Sequence, residues 1–134
     1  MTSDAESEAR RKSELLNLLK QGLEAGGLQV EISGIIQGAS GARHTFDLIA
    51  TKDGKRATID VRLARKERVE LGVVLETYAK SLDANARPSI LVATPEASSD
   101  ARKSAAAFGL VLVEGNGPPE VLERLRRALV VCLS

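Results

Sequence analysis

Arg43-His44-Thr45-Phe46-Asp47-Leu48-Ile49-Ala50-Thr51-Lys52-Asp53-Gly54-Lys55-Arg56-Ala57-Thr58-Ile59-Asp60-Val61-Arg62-Leu63 is the stretch whose reading decides the fold. Alternating apolar residues on either side of Asp53-Gly54 predict two strands joined by a two-residue type I′ turn, which needs positive φ at both central positions. With that turn Lys52 faces Lys55, Asp47 falls opposite Asp60 and Thr45 opposite Arg62. Side chains alternate along a strand, so Asp47, Asp60, Thr45 and Arg62, with Ile49, share one face. Phe46, Leu48, Ile59, Val61 and Leu63 take the other.

Opposed carboxylates on one sheet face lie roughly 4.5–5.5 Å apart at Cβ and repel. Two readings follow. A divalent cation sits between Asp47 and Asp60, as Mg²⁺ does when held by one or two carboxylates and substrate phosphates, or the face is solvated and the pair is merely hydrated.

Asp47 followed by Asp60-Val61-Arg62 resembles the signature of the PD-(D/E)xK nuclease superfamily, which includes restriction endonucleases and archaeal Holliday-junction resolvases. The preceding Gly38-Ala39-Ser40-Gly41-Ala42-Arg43-His44-Thr45-Phe46 is similar to the Gly-rich entry into the second strand in some of these proteins. The resemblance implies that Asp47 and Asp60 bind Mg²⁺ or Mn²⁺, joined by the Val61 carbonyl and by Glu8 on the first helix. Arg62 stands where the family carries a Lys that orients or activates water. A guanidinium stays charged and is no general base, but it can hold a phosphate or developing negative charge. In some members the Lys has moved to the neighbouring helix, which makes Lys66 and Lys80 substitutes.

The 134-residue chain is long enough to bury a core without disulfides and reads as one domain, 1–134. Phe46, Tyr78 and Phe108 are its only aromatics, which argues against a single-strand binder built on stacking platforms. The lone Cys132 excludes an intrachain disulfide and a cysteine zinc site and fits a reducing cytoplasm. No apolar run is long enough to span a membrane, and the polar N-terminus is no signal peptide. A net charge of +1 means that any DNA contact comes from a local patch. Lys52, Lys55, Arg56, Arg62, Arg65, Lys66 and Arg68 supply one, with Arg10, Arg11 and Lys12 on the first helix, although such a run also suits a solvated face.

The remaining elements follow from periodicity and punctuation. Residues 4–24 read as a helix capped at Ser3 or Asp4, with Leu15, Leu16, Leu19 and Leu23 on one face and Gly26-Gly27 as its stop. Glu8 extends that stripe, or belongs to a charged, solvated first turn. Leu28–Gln37 reads as a strand in which Gly34 marks a bulge or a close backbone approach. The Gly38–Gly41 loop lacks the Lys and following helix of a phosphate-binding loop and reads as a turn. His44, the one histidine, falls away from Asp47 and reads as structural.

Arg65–Leu82 reads as a helix whose stripe is Leu71, Leu75, Tyr78 and Leu82, with Val74 beside it. Ser89–Thr94 and Leu110–Val113 read as buried parallel strands joined by a helix over Ala101–Phe108, capped at Ser98, Ser99 or Asp100 and ended by Gly109. A last helix runs from Pro118 or Pro119 to about Val131, with Val121, Leu122, Leu125, Leu129 and Val130 inward.

The order αβββαβαβα predicts an α/β protein with a mixed sheet and helices on both faces, the core order of the restriction endonuclease-like fold. The resemblance therefore implies a Mg²⁺-dependent endonuclease or resolvase acting on double-stranded or branched DNA, and a homodimer would place two active sites on the two strands. The alternative is a degenerate module of the same fold that binds DNA or a protein. A third reading gives the aspartate pair a purely structural role.

Overall fold

The Asp53-Gly54 turn has φ of 52° and 79°, the type I′ values, and it sets the register of the strands it joins. Strands β2 (Arg43–Lys52) and β3 (Lys55–Leu63) pair antiparallel from Lys52–Lys55 through Leu48–Ile59, as the turn predicts. The computed structural model describes residues 4–134. The cap expected at Ser3 lies outside them.

Helix α1 (Asp4–Ala25) precedes β1 (Gln29–Gln37), and β3 is followed by α2 (Leu71–Asp83), β4 (Ser89–Thr94), α3 (Ser99–Phe108), β5 (Val111–Glu114) and α4 (Pro118–Cys132). The five-stranded sheet has the order β1-β2-β3-β4-β5. β1, β2 and β3 form an antiparallel meander, and β3, β4 and β5 run parallel through helical crossovers. The fold is the mixed α/β arrangement that the order of elements predicts.

Helices α1 and α4 cover one face of the sheet. Leu15, Leu16, Leu19 and Leu23 pack with Val121, Leu125 and Leu129 over Leu48, Ile59, Val61 and Val92. Each such leucine, fully buried, contributes roughly 1.5–3 kcal/mol. On the other face, Val74 of α2 and Ala101 and Ala105 of α3 cover Leu91 and Ala93. The Tyr78 and Phe108 rings stack at 4.5 Å and tie α2 to α3. Ser98 caps α3 by accepting from the Ala101 N–H. Among the described residues, no helix is long and apolar enough to cross a membrane.

Several expectations shift. The helix predicted from Arg65 begins at Leu71, because buried Val69 pairs with Ala97 in a parallel bridge and exchanges hydrogen bonds with Glu96 and Ser98. That tertiary pairing overrides the local preference for helix. α2 is also rotated from its predicted stripe: Val74, Thr77 and Ser81 are buried, while Leu75 and Leu82 are 45% and 49% exposed. Val130 of α4 is likewise exposed. In β2, Phe46 packs with Ile49, Ala84 and Ala86 rather than with Leu48. The alternation slips by one residue, and the residue at which it slips is Asp47.

Candidate active site

At Asp47 both ladders flanking β2 are interrupted. The β1–β2 pairing passes from Ile32–Leu48 to Gly34–Phe46, with Ser33 between them at φ 56°. Gly34 leaves room there for the Ile49 side chain, which a Cβ would displace. On the other side, the β2–β3 pairing ends at Leu48–Ile59, whereas β3 continues beside β4 from Thr58–Ser89 to Leu63–Thr94. A gap therefore opens between β2 and β3 where the aspartates stand.

The two carboxylates close that gap reciprocally. The Val61 N–H donates to Asp47 Oδ2 at 2.8 Å, and the Asp47 N–H donates to Asp60 Oδ1 at 3.2 Å. Each side chain replaces a lost ladder bond, so both anions are fixed by backbone rather than by flexible neighbours. Asp60 is only 7% exposed. Repulsion between the pair is offset by two ammonium groups from opposite faces of the sheet. Lys12 of α1 reaches Asp47 Oδ2 at 3.0 Å, and Lys80 of α2 reaches Asp60 Oδ2 at 2.7 Å. Lys80 also donates to the Thr45 carbonyl at 2.9 Å and sits 4.5 Å from the Phe46 ring centre.

Arg62, at the position of the motif Lys, turns away from the aspartates to an exposed pair with Glu76, at 3.1 Å. Glu8 lines a cleft of about 340 Å³ with Lys12, Val61, Arg62 and Arg65. Among the described residues, no group of three His, Cys, Asp or Glu side chains is gathered closely enough to hold a metal, so Glu8 does not join the aspartates. Lys52, Lys55 and Arg56 lie at the hairpin tip, roughly 15 Å of strand away from Asp60, and Lys55 there donates to the Ser134 carbonyl. Of the predicted basic stretch only Arg62 and Arg65 line the cleft. Lys66 is exposed in the connection before α2, Arg10 is exposed on α1, and Arg11 borders a neighbouring groove.

His44 is structural, as its place in the alternation predicts. It bonds Asp83 at 2.6 Å, and Asp83 also accepts from the Ser40 N–H and hydroxyl, pinning the β1–β2 loop to the end of α2. Ser40 meets Asp83 and not His44, so the three do not form a nucleophile–base relay. The role of Lys12 escaped the motif, yet it lies four residues before Leu16 and so extends the buried stripe of α1.

The donor set suits a hard divalent cation. Asp47 and Asp60 supply carboxylates, and the Val61 carbonyl points to the same side as its N–H, into the gap. Each carboxylate already carries an ammonium where a cation would sit.

No family model matches the sequence, and no curated protein matches it. Solved structures share the fold, among them the following two. One is a protein of unknown function, AF1548, with a TM-score of 0.67 and 24% identity over 81% of this chain and 64% of that one. The other is a repair endonuclease from Pyrococcus abyssi, with a TM-score of 0.57 and 17% identity over 89% of this chain and 50% of that one. This chain thus spans less than two thirds of either neighbour, and at these identities the likeness is one of fold: a mixed-sheet α/β fold shared with both.

Proposed function

We propose that the protein is a metal-dependent DNA endonuclease of the PD-(D/E)xK type, hydrolysing phosphodiester bonds in double-stranded or branched DNA. The observation that carries this reading is the gap between β2 and β3, where two backbone-anchored aspartates stand together and each bears one lysine ammonium. The fold shared with a repair endonuclease supports it.

Asp47, Asp60 and the Val61 carbonyl would hold Mg²⁺ or Mn²⁺. When bound, such an ion polarises the scissile phosphate and lowers the pKa of an attacking water. Lys80, fixed by Thr45 and Phe46, takes the part of the motif Lys and orients water and phosphate beside Asp60. Arg65 lines the cleft and would hold the DNA backbone, joined by Arg62 where it leaves Glu76. Two copies related by a two-fold axis would place one site on each strand. We place the protein in a reducing compartment, where Cys132, its thiol pushed up by burial, stays reduced.

The test is nicking of supercoiled plasmid and of a four-way DNA junction in Mg²⁺ or Mn²⁺. Wild type cuts, while Asp47→Asn and Asp60→Asn lose about a thousandfold or more of the rate and keep their melting cooperativity. Undiminished cutting by either variant would refute the assignment. The second reading, a DNA-binding module without turnover, is favoured by the pairing of Arg62 with Glu76. Metal and DNA binding with no cleavage by wild type would select it.

A further inference from the structure

Lys12 and Lys80 neutralise neighbouring aspartates in unequal ways. Lys80 is held by Asp60, by the Thr45 carbonyl and by the face of Phe46, and its side chain is 23% exposed. Lys12 is 33% exposed, and among the described residues its polar contact is Asp47 alone. It also lines the open cleft that holds Arg62, Arg65 and Glu8. Lys12 therefore stands between an anion it can leave and a basic cleft it can enter.

We infer that Lys12 is a phosphate-binding residue with two positions: it closes Asp47 in the free protein, and it moves into the cleft onto a DNA backbone phosphate when a divalent cation takes Asp47. This rests on the reading given under Proposed function. Lys12 Nζ and the cation compete for the same oxygen, Asp47 Oδ2, whose other partner is the fixed Val61 N–H. An ammonium on a four-carbon stem makes point contacts and can swing between them, which a guanidinium fork on a carboxylate does less readily. Once in the cleft, Lys12 joins Arg65 against the carboxylate of Glu8, while Arg62 is balanced by Glu76, and the net positive charge left suits a phosphodiester. Metal and DNA thereby favour one another's binding, through a residue that touches one carboxylate or one phosphate but not both.

The test is Ca²⁺ affinity by calorimetry without DNA, and affinity for a labelled duplex by anisotropy in saturating Ca²⁺, which leaves the DNA uncut. Wild type is compared with Lys12→Met and Lys12→Arg, with melting curves to verify folding. For Lys12→Met the two affinities should move in opposite directions. Ca²⁺ should bind about tenfold more tightly, and the duplex about tenfold more weakly, with a salt slope reduced by about one. Lys12→Arg, which keeps the charge, should recover most of the DNA affinity. A merely structural Lys12 would weaken both affinities together, and that result overturns the inference, as does unchanged Ca²⁺ binding in a Lys12→Met protein whose wild type binds the ion. Failure of wild type and both variants to bind Ca²⁺ would instead remove the metal-site reading, and this inference with it.

Discussion

The parallel half of the sheet carries a charge cluster that contrasts with the one in its antiparallel half. On β5, Glu114 accepts from Arg102 Nε and Nη2 at 2.8–3.1 Å and from the Ala97 N–H, while Arg102 also reaches Glu96. The guanidinium holds Glu114 below the usual carboxylate range against the opposing effect of burial. A planar fork meets a carboxylate edge-on and saturates it, so the anion has no free side to offer. In the gap between β2 and β3 the carboxylates are anchored by backbone N–H groups and capped by ammonium groups, which are compact point charges. The first cluster is a clamp between α3 and the sheet. The second is a pair of backbone-anchored anions, each capped by a single ammonium.

The difference breaks most sharply at Lys80. Lys80→Met leaves the nearly buried Asp60 without its cation and should cost roughly 3 kcal/mol of unfolding free energy. The corresponding Arg102→Met at the exposed clamp should cost about 1 kcal/mol or less. Saturating Mg²⁺ should restore part of the loss in Lys80→Met and none in Arg102→Met. Urea unfolding of the two variants with and without Mg²⁺ measures both effects, and equal losses with no response to metal would erase the distinction.

Much of this site was legible in the sequence because a two-residue turn propagates. Asp53-Gly54 sets the register, and the register, kept as far as Leu48–Ile59, leaves Asp47 and Asp60 as the residues just beyond its end. Hydrophobic period and punctuation placed the other elements, since Gly, Pro and Ser act locally. What was not legible depends on contacts distant in sequence. The pairing of Val69 with Ala97 shortens α2, and the position of α2 over β4 decides that Val74, not Leu75, is buried. The slip of alternation at Asp47 follows from strands diverging, and it moves Phe46 to the side where it meets Lys80. A periodicity of two cannot announce its own interruption, though Gly34 in the neighbouring strand was a trace of it.

The loop preceding β2 sharpens the comparison through pH. Asp83 is held at about 2 rather than the ordinary 3.8, chiefly by its hydrogen bond from His44 and then by those from Ser40. A depressed folded pKa contributes stability that is full above the unfolded value and lost as pH falls through the folded one. Wild type should therefore lose stability between about pH 4 and pH 2 more steeply than Asp83→Asn, which lacks the titrating group. Urea midpoints across that window test this, and parallel profiles would contradict it. The network closes the end of α2, the helix that delivers Lys80, so Asp83→Asn should also slow cleavage more than Arg102→Met does.

The smallest expected effect is at the motif position itself. Arg62 and Glu76 are well exposed, and pairs of that kind contribute about 0–1 kcal/mol. If Lys80 serves Asp60, then Arg62→Lys supplies a second ammonium where none is needed. It should change the cleavage rate by no more than about threefold and stability by less than about 1 kcal/mol. Nicking of plasmid by the purified variant reads the outcome. A large gain would show that the strand position was waiting for its Lys and that Lys80 only balances charge. A near-neutral result alongside an inactive Lys80→Met would place the working ammonium on α2. The two variants together thus distinguish a motif read along a strand from a site assembled across elements, where the chemistry depends on which cation reaches Asp60.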